Sequence, residues 1–114
     1  MNEKENILTH TYDLLLYIVP QLVKFPRHQK FVLADRIQTG LTGLLELLIE
    51  AYYTRDERKR DALHQANLEL EKIRYLVRLA KDLHCIDLRR YELIQDKLNQ
   101  IGIQAGAWLK SLRS

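Results

Sequence analysis

The sequence has little of the residues that cross-link a chain or carry it across a membrane. It has one cysteine, Cys85, among 114 residues, which excludes an intrachain disulfide and favours a reducing, cytoplasmic setting. No uninterrupted apolar run approaches the ~20 residues that a membrane-spanning helix needs. The first twenty residues include acids and lack the apolar segment of a secretory signal. We therefore expect a soluble, cytoplasmic protein.

The sequence also lacks the patterns that carry catalytic or metal-binding chemistry. A metal site needs three or four ligands that converge, but no two of the four histidines are three or four residues apart. These histidines are His10, His28, His64 and His84. A glycine-rich phosphate loop, a Gly-x-Ser-x-Gly elbow and a Glu-x-x-His pair are absent from the sequence. We therefore expect no enzymatic activity, no cofactor and no metal ion.

Apolar residues instead recur at helical spacing along the chain. In the last third they follow one another at steps of three and four residues, which places them on one stripe of a helix. This stripe consists of Tyr91, Ile94, Leu98, Ile101, Ala105, Trp108 and Leu112. Similar patterns predict four helices, whereas strand and hairpin signals are absent from the sequence. The predicted helices cover about residues 7–24, 28–53, 54–84 and 87–112.

Local signals predict where these helices begin and end. Pro20 removes a backbone donor and predicts a kink or break in the first helix, and Pro26 marks the first connection. Thr54 and Glu57 fit a capping box at the start of the third helix. Asp87 is the predicted N-cap of the fourth helix. The short connections predict an all-α, antiparallel up-down-up-down four-helix bundle, a single domain over all 114 residues.

The second and third predicted helices carry more apolar residues than a lone bundle needs to bury. The third helix has a second apolar stripe in addition to its main one, and the second helix is apolar nearly all round. The second stripe consists of Leu68, Leu76, Leu79 and Leu83. This surplus favours contact with a second subunit. Gly102 and Gly106 share a face of the last helix and allow close approach of a helix, either of the same chain or of another subunit.

Positive charge is concentrated in one part of this mildly basic chain. The whole chain has a formal net charge of +3, whereas residues 72–90 alone carry +4. Arg74 and Arg78 lie one turn apart on the third helix, on a face that stays exposed when the bundle closes. The other cations cluster near the starts of the third and fourth helices. The candidate binding residues are Arg74, Arg78, Lys81, Arg55, Arg58, Lys59, Arg60, Arg89 and Arg90.

This charge pattern favours an anionic partner. Guanidinium groups bind phosphate through a rigid fork of donors, so we expect salt-sensitive binding to RNA or DNA through charge and shape. A symmetric oligomer would repeat the basic patch and strengthen such binding by multivalency. The alternative is that these cations only keep exposed helix faces soluble.

Several short segments resemble the accessory variability protein of diversity-generating retroelements, the accessory variability determinant or Avd. These segments are Tyr17-x-x-Pro20, FPRHQKF at residues 25–31, IRYLVRLA at residues 73–80, IG at residues 101–102 and GAWLKS at residues 106–111. A sister family with the same bundle is encoded by intervening sequences in bacterial 23S ribosomal RNA genes. The sequence resembles these two families over nearly its whole length.

The resemblance to Avd implies a homopentameric ring of four-helix subunits that binds a reverse transcriptase and nucleic acid. It implies a non-catalytic accessory role in the mutagenic copying of a template RNA into cDNA. The family's basic pair on the third helix corresponds to Arg74 and Arg78. The resemblance to the sister family implies instead an oligomeric scaffold with an unknown protein or RNA partner. A further alternative is a small subunit of a toxin–antitoxin or nucleotidyltransferase pair.

Overall fold

Four long helices make up the regular structure of the chain in the part that is described. The structure, a computed structural model, describes residues 3–112 and the side chains of residues 6–112. Helix α1 comprises Glu3–Leu22. Helix α2 is continuous through three segments, an α-helical turn Arg27–Gln29, a π-helical turn Lys30–Ala34 and the long α-helical segment Asp35–Tyr53. Helix α3 comprises Asp56–Asp82, and helix α4 comprises Leu88–Ser111.

The helices pack as an elongated antiparallel bundle of 47 × 23 × 20 Å. Each helix packs against two others, in the order α1, α2, α3, α4 and back to α1. Ile73 of α3 lies against Gly40 of α2, and Gln104 near the end of α4 lies 3.1 Å from His10 near the start of α1. Consecutive helices therefore run in opposite directions. The predicted all-α four-helix bundle is confirmed.

The core follows the predicted apolar stripes. The predicted stripe of α4 is buried from Ile94 to Trp108, while its end members Tyr91 and Leu112 are half-buried. Burying one such Leu or Ile side chain contributes about 1.5–3 kcal/mol to folding. The core residues of α2 and α3 are Ile37, Leu41, Leu44, Leu48, Leu63, Ala66, Leu70, Ile73, Val77 and Ala80. Thr11 is the buried polar residue of α1, and its hydroxyl donates to the carbonyl of Ile7 at 2.8 Å.

The capping box predicted at Thr54 is wrong, whereas the connection at Pro26 and the N-cap at Asp87 are confirmed, and no break occurs at Pro20. Helix α1 continues through Pro20 and ends at Leu22, since a proline in the last turn removes a single backbone bond. Thr54 does not cap α3; its hydroxyl donates to the carbonyl of Glu50 at 2.7 Å and thereby caps the end of α2. The N-cap of α3 is Arg55, which forms no capping side-chain bond. Asp87 caps α4 as predicted: its Oδ1 accepts from the backbone N–H of Arg90 at 2.8 Å.

Helix α3 ends in a tight left-handed turn at His84. The φ angle of His84 is 62°, a conformation that favours glycine. Its N–H donates to the Lys81 carbonyl at 3.0 Å, and the N–H of Cys85 donates to the Ala80 carbonyl at 2.8 Å. These two bonds form a Schellman motif with histidine at the C′ position. The motif ends α3 at Asp82, two residues before the predicted end.

The predicted surplus of apolar surface is present on the single copy. On α3, Leu68 is 53% exposed, Leu79 is 46% exposed and Leu76 is half-buried, and Leu83, directly after α3, is 45% exposed. The π-helical turn of α2, which the sequence did not predict, adds Phe31 and Val32 as further exposed apolar residues. Among the described residues, no helix combines the length and apolar character that crossing a bilayer would require.

Candidate nucleic-acid interface

A groove between α3 and α4 contains both arginines of the predicted pair. It has a volume of about 330 Å³. Its walls combine two guanidinium groups, two phenol rings, two amides and one carboxylate. The lining residues are Arg74, Arg78, Tyr75 and Glu71 from α3 and Tyr91, Gln95 and Asn99 from α4. The predicted antiparallel packing of these two helices places the groups opposite one another.

Arg74 is held against the neighbouring helix. Its Nη1 lies 2.9 Å from Glu71 Oε2, and its side chain is 29% exposed. A Cβ built on Gly102 of α4 would lie 2.7 Å from Arg74 Nη2, so the guanidinium lies directly over this glycine. Gln95 of α4 also donates to the Arg74 carbonyl at 3.2 Å. Arg74 is therefore both a part of the α3–α4 contact and a cation at the edge of the groove.

Arg78 presents a freer guanidinium. Its side chain is 62% exposed, and its Nε lies 3.9 Å from Asp82 Oδ2, which is too long for a hydrogen bond. An exposed ion pair of this kind contributes at most about 1 kcal/mol. Arg78 can therefore bind an anion without losing a strong internal contact.

Lys81 lies one turn beyond Arg78 and is engaged within the subunit. Its Nζ lies 3.0 Å from Asp82 Oδ1 and 4.9 Å from the centre of the Tyr91 ring. The ammonium thus covers one face of the Tyr91 ring through a cation–π contact. The side chain remains 30% exposed, so its charge still contributes to the field at this end of the groove.

The cations at the start of α3 divide into two kinds. Arg55 and Arg58 are exposed. Lys59 donates from Nζ to the Ala51 carbonyl at the end of α2 and lies 5.4 Å from the centre of the Trp108 ring. These contacts tie three helices together at one end of the bundle. Lys59 therefore has a structural role that its sequence position alone does not indicate.

Arg60 and the two arginines at the start of α4 differ in how strongly they are bound within the subunit. Arg60 donates from Nη2 to the Leu112 carbonyl at 2.9 Å and pairs with Glu57 at 3.4 Å. Arg90 pairs with Asp87 at 2.7 Å, and Arg89 is exposed. The structure thus brings Arg74 and Arg78 together in one groove, with Lys81 at its edge. It does not bring the residues 55–60 cluster to that groove, because α3 carries this cluster at its other end.

The three residues that α4 contributes to the groove are not among the sequence-predicted binding residues. Tyr91, Gln95 and Asn99 follow one another at steps of four residues and so share one face of α4. The helical spacing places Tyr91 in the apolar stripe, and the sequence analysis gives no role to the two amides. The sequence signal for these residues is a polar row with a period of four beside the apolar stripe of α4. This row indicates a binding surface only when α4 packs next to the arginine pair of α3.

A second groove lies on the opposite flank of α3, between α2 and α3. Its volume is about 740 Å³, and its walls include Gly40, Tyr75, Leu76 and Leu79. Carboxylates and cations from α2 and α3 line its rim, namely Asp35, Glu69, Arg36 and Lys72. Tyr75 lies between the two grooves and is 64% exposed. In the described part of the chain, no three His, Cys, Asp or Glu side chains are grouped closely enough to hold a metal ion.

Comparisons with known proteins agree with the family resemblance. A family model described as bAvd-like matches residues 6–112. A crystal structure of a protein of unknown function from the S23 ribosomal protein family of Bacteroides thetaiotaomicron superposes with a TM-score of 0.87. The match covers 96% of this chain and 99% of that chain at 19% identity, which shows a common fold. No curated protein matches the sequence.

Proposed function

The chain belongs to the bAvd-like family, and we propose that it is a non-catalytic accessory protein of a diversity-generating retroelement. In this role it assembles into a ring, the homopentamer that the family resemblance implies. It then binds the reverse transcriptase together with its nucleic acid and supports mutagenic copying of template RNA. The observation that carries the proposal is the groove in which Arg78 is exposed and weakly paired beside Arg74.

Charge and exposure support an anionic partner at this groove. Arg78 has no short ion pair to lose, so a phosphate that binds it gains a charge-assisted hydrogen bond at little cost. Such a bond to a charged group contributes about 1.5–3 kcal/mol. In a ring, each subunit presents the same groove, so several modest contacts add up on one long strand.

The exposed apolar residues support assembly. Leu68 and Leu79 lie on α3 and Leu83 directly follows it, and Phe31 and Val32 protrude from the π-helical turn of α2. Exposing this much apolar surface is unfavourable for a lone subunit, and burial against another copy stabilises the assembly. Because a ring needs two different surfaces on each subunit, we place one contact on the α2–α3 flank.

Light scattering tests the assembly. We expect the wild-type chain to have five times the 13.5 kDa mass of one subunit at micromolar concentration. Leu79→Glu should lower that mass by weakening the subunit contact. The matched control is Val23→Glu, at an apolar residue that is 64% exposed near the end of α1. A wild-type monomer, or equal masses for both variants, would contradict assembly through this flank.

Binding to the retroelement complex tests the function. The proposal first requires that a reverse transcriptase gene, with template and variable repeats, lies beside the gene for this chain. The reverse transcriptase encoded there is the partner in the experiment. The double variant Arg74→Ala, Arg78→Ala should bind template RNA at least about ten-fold more weakly and lower the salt dependence by about 2 in slope. The matched control removes two exposed cations near the connection between α1 and α2, Lys24→Ala and Arg27→Ala. Equal loss in both double variants would show that overall charge, and not this groove, binds the RNA.

A further inference from the structure

We propose that the α3–α4 groove binds nucleotides whose bases are unpaired, so that single-stranded nucleic acid is preferred over duplex. This inference rests on the proposed function, since it assumes that the groove binds nucleic acid. It adds the class of strand that is bound and the residues that contact the bases. The juxtaposition that carries it is one groove lined by the largely exposed ring of Tyr75, the exposed guanidinium of Arg78 and the amide of Asn99.

The groove offers more than a phosphate site requires. A duplex presents phosphates at its surface and keeps its bases stacked inside, so its bases are not available to stack on a protein ring. Tyr75 is 64% exposed in the single subunit and also lines the α2–α3 groove, so a subunit contact on that flank must leave its α3–α4 side open for a base to stack on the ring. Tyr91, the second ring of the groove, already has one face covered by Lys81 at 4.9 Å. Tyr75 is therefore the stacking platform, and Tyr91 forms part of the wall.

The amides on α4 provide the groups that contact a base edge. An amide side chain has a donor and an acceptor, which suits the mixed edges of unpaired bases. Gln95 donates to the Arg74 carbonyl at 3.2 Å, whereas Asn99, four residues further along α4, is exposed. Asn99 is therefore the residue placed to contact a base that stacks on Tyr75.

The groove is open to solvent, so a strand can lie along it. The nucleotides on either side of the bound one then lie over the exposed surface of α3, because they are linked to it through the strand. The carboxylate of Glu71, the one acid of the lining, is paired with Arg74 at 2.9 Å, which reduces its repulsion of a phosphate.

Fluorescence anisotropy with the full chain tests the inference. The probes are a labelled single-stranded RNA, the same sequence annealed to its complement, and the matching single-stranded DNA. Tyr75→Ala should weaken single-strand binding about ten-fold and change duplex binding less than about two-fold. Tyr75→Phe keeps the ring and should restore the wild-type affinity. Tyr12→Ala, at a tyrosine that is 56% exposed on α1, is the control and should have no effect.

Asn99→Ala provides an independent variant in case Tyr75→Ala alters folding or assembly, which circular dichroism and light scattering report. It should weaken single-strand binding about three-fold and leave duplex binding unchanged. Equal affinity for single strand and duplex in the wild-type chain would overturn the inference while leaving nucleic-acid binding intact. So would a Tyr75→Phe variant as weak as Tyr75→Ala. Failure of the wild-type chain to bind any of the three probes would overturn the proposed nucleic-acid function itself.

Discussion

The guanidinium of Arg74 lies over the backbone of Gly102 on the neighbouring helix, so close that a Cβ there would be 2.7 Å from Nη2. A glycine inside a helix costs about 1 kcal/mol relative to alanine. At Gly102 the absence of a side chain leaves room for the guanidinium of Arg74 between the two helices. Gly106, one turn later, has open space at its Cβ position, and no side chain of a neighbouring helix lies within 4 Å of it.

Gly102→Ala should therefore leave stability nearly unchanged while moving Arg74. The gain in helix propensity, about 1 kcal/mol, is offset because Leu70 at 3.1 Å and Arg74 at 2.7 Å must both give way. Since the arginine head is the flexible part, we expect it to swing out and its pair with Glu71 to break. RNA binding should fall several-fold in an anisotropy titration, with an unfolding free energy within about 1 kcal/mol of wild type.

Gly106→Ala is the matched control. It should raise the unfolding free energy by about 1 kcal/mol, or the melting temperature by about 4 °C, and leave RNA binding unchanged. If both alanine variants stabilise the protein equally and bind RNA equally, the position of Arg74 over Gly102 has no role in binding.

Lys59→Ala should destabilise the bundle, whereas Arg58→Ala should not. The two residues are adjacent and carry the same charge, but Lys59 joins the end of α2 to Trp108 and Arg58 is exposed. Loss of a charge-assisted bond and a cation–π contact should cost about 1–3 kcal/mol, against less than about 0.5 kcal/mol for the exposed neighbour. Urea unfolding of the two variants at equal concentration measures the difference. Equal midpoints would refute a structural role for Lys59.

His84→Gly should stabilise the protein. The residue holds a φ angle of 62° at the end of α3, where a non-glycine residue costs about 1–2 kcal/mol and glycine does not. Because glycine also increases the freedom of the unfolded chain, we expect a net gain of about 0.5–1 kcal/mol in the unfolding free energy. His84→Ala, which keeps the strain, should give no gain. A destabilised glycine variant would show that the imidazole makes a contact that outweighs the strain.

The alkylation rate of Cys85 should depend on pH and on folding. Burial raises the pKa of the Cys85 thiol above its ordinary value, so the folded protein holds the proton more tightly than the unfolded chain. The resulting contribution to stability is present below the unfolded-state pKa and is lost as pH rises through the folded-state pKa. Iodoacetamide labelling of the native protein should be slower than labelling in urea at about pH 8, and the difference should narrow towards about pH 10. Equal rates at the lower pH would contradict the raised pKa.

The number of helices and their core faces could be predicted from the sequence because burial in a helix has a fixed geometric period. The stripe from Ile94 to Trp108 is an example, since residues at steps of three and four can all lie on only one face of a helix. The boundary at Thr54 failed for a different reason. A threonine hydroxyl serves the end of one helix as well as the start of the next, and the sequence does not say which carbonyl or amide lies within reach.

The π-helical turn and the inequality of the two arginines could not be read from the chain. The turn Lys30–Ala34 contains one residue more than an α-helical turn. The apolar pattern of the sequence does not reveal this extra residue, although Phe31 and Val32 are exposed in the structure. Arg74 and Arg78 have equivalent positions on α3, one turn apart. Their difference arises from Gly102, a residue distant in sequence, because α4 approaches α3 closely there.

The central claim is that the groove of Arg74 and Arg78 supports copying of the template RNA. The most direct measurement is cDNA synthesis in cells that carry the retroelement, lack this gene, and express either wild type, Arg78→Ala or the charge-matched Arg58→Ala. Both substitutions are at exposed residues of α3, so expression and assembly should be equal. We expect cDNA to fall at least about ten-fold with Arg78→Ala and to remain at the wild-type level with Arg58→Ala. Wild-type cDNA levels with Arg78→Ala would contradict the claim.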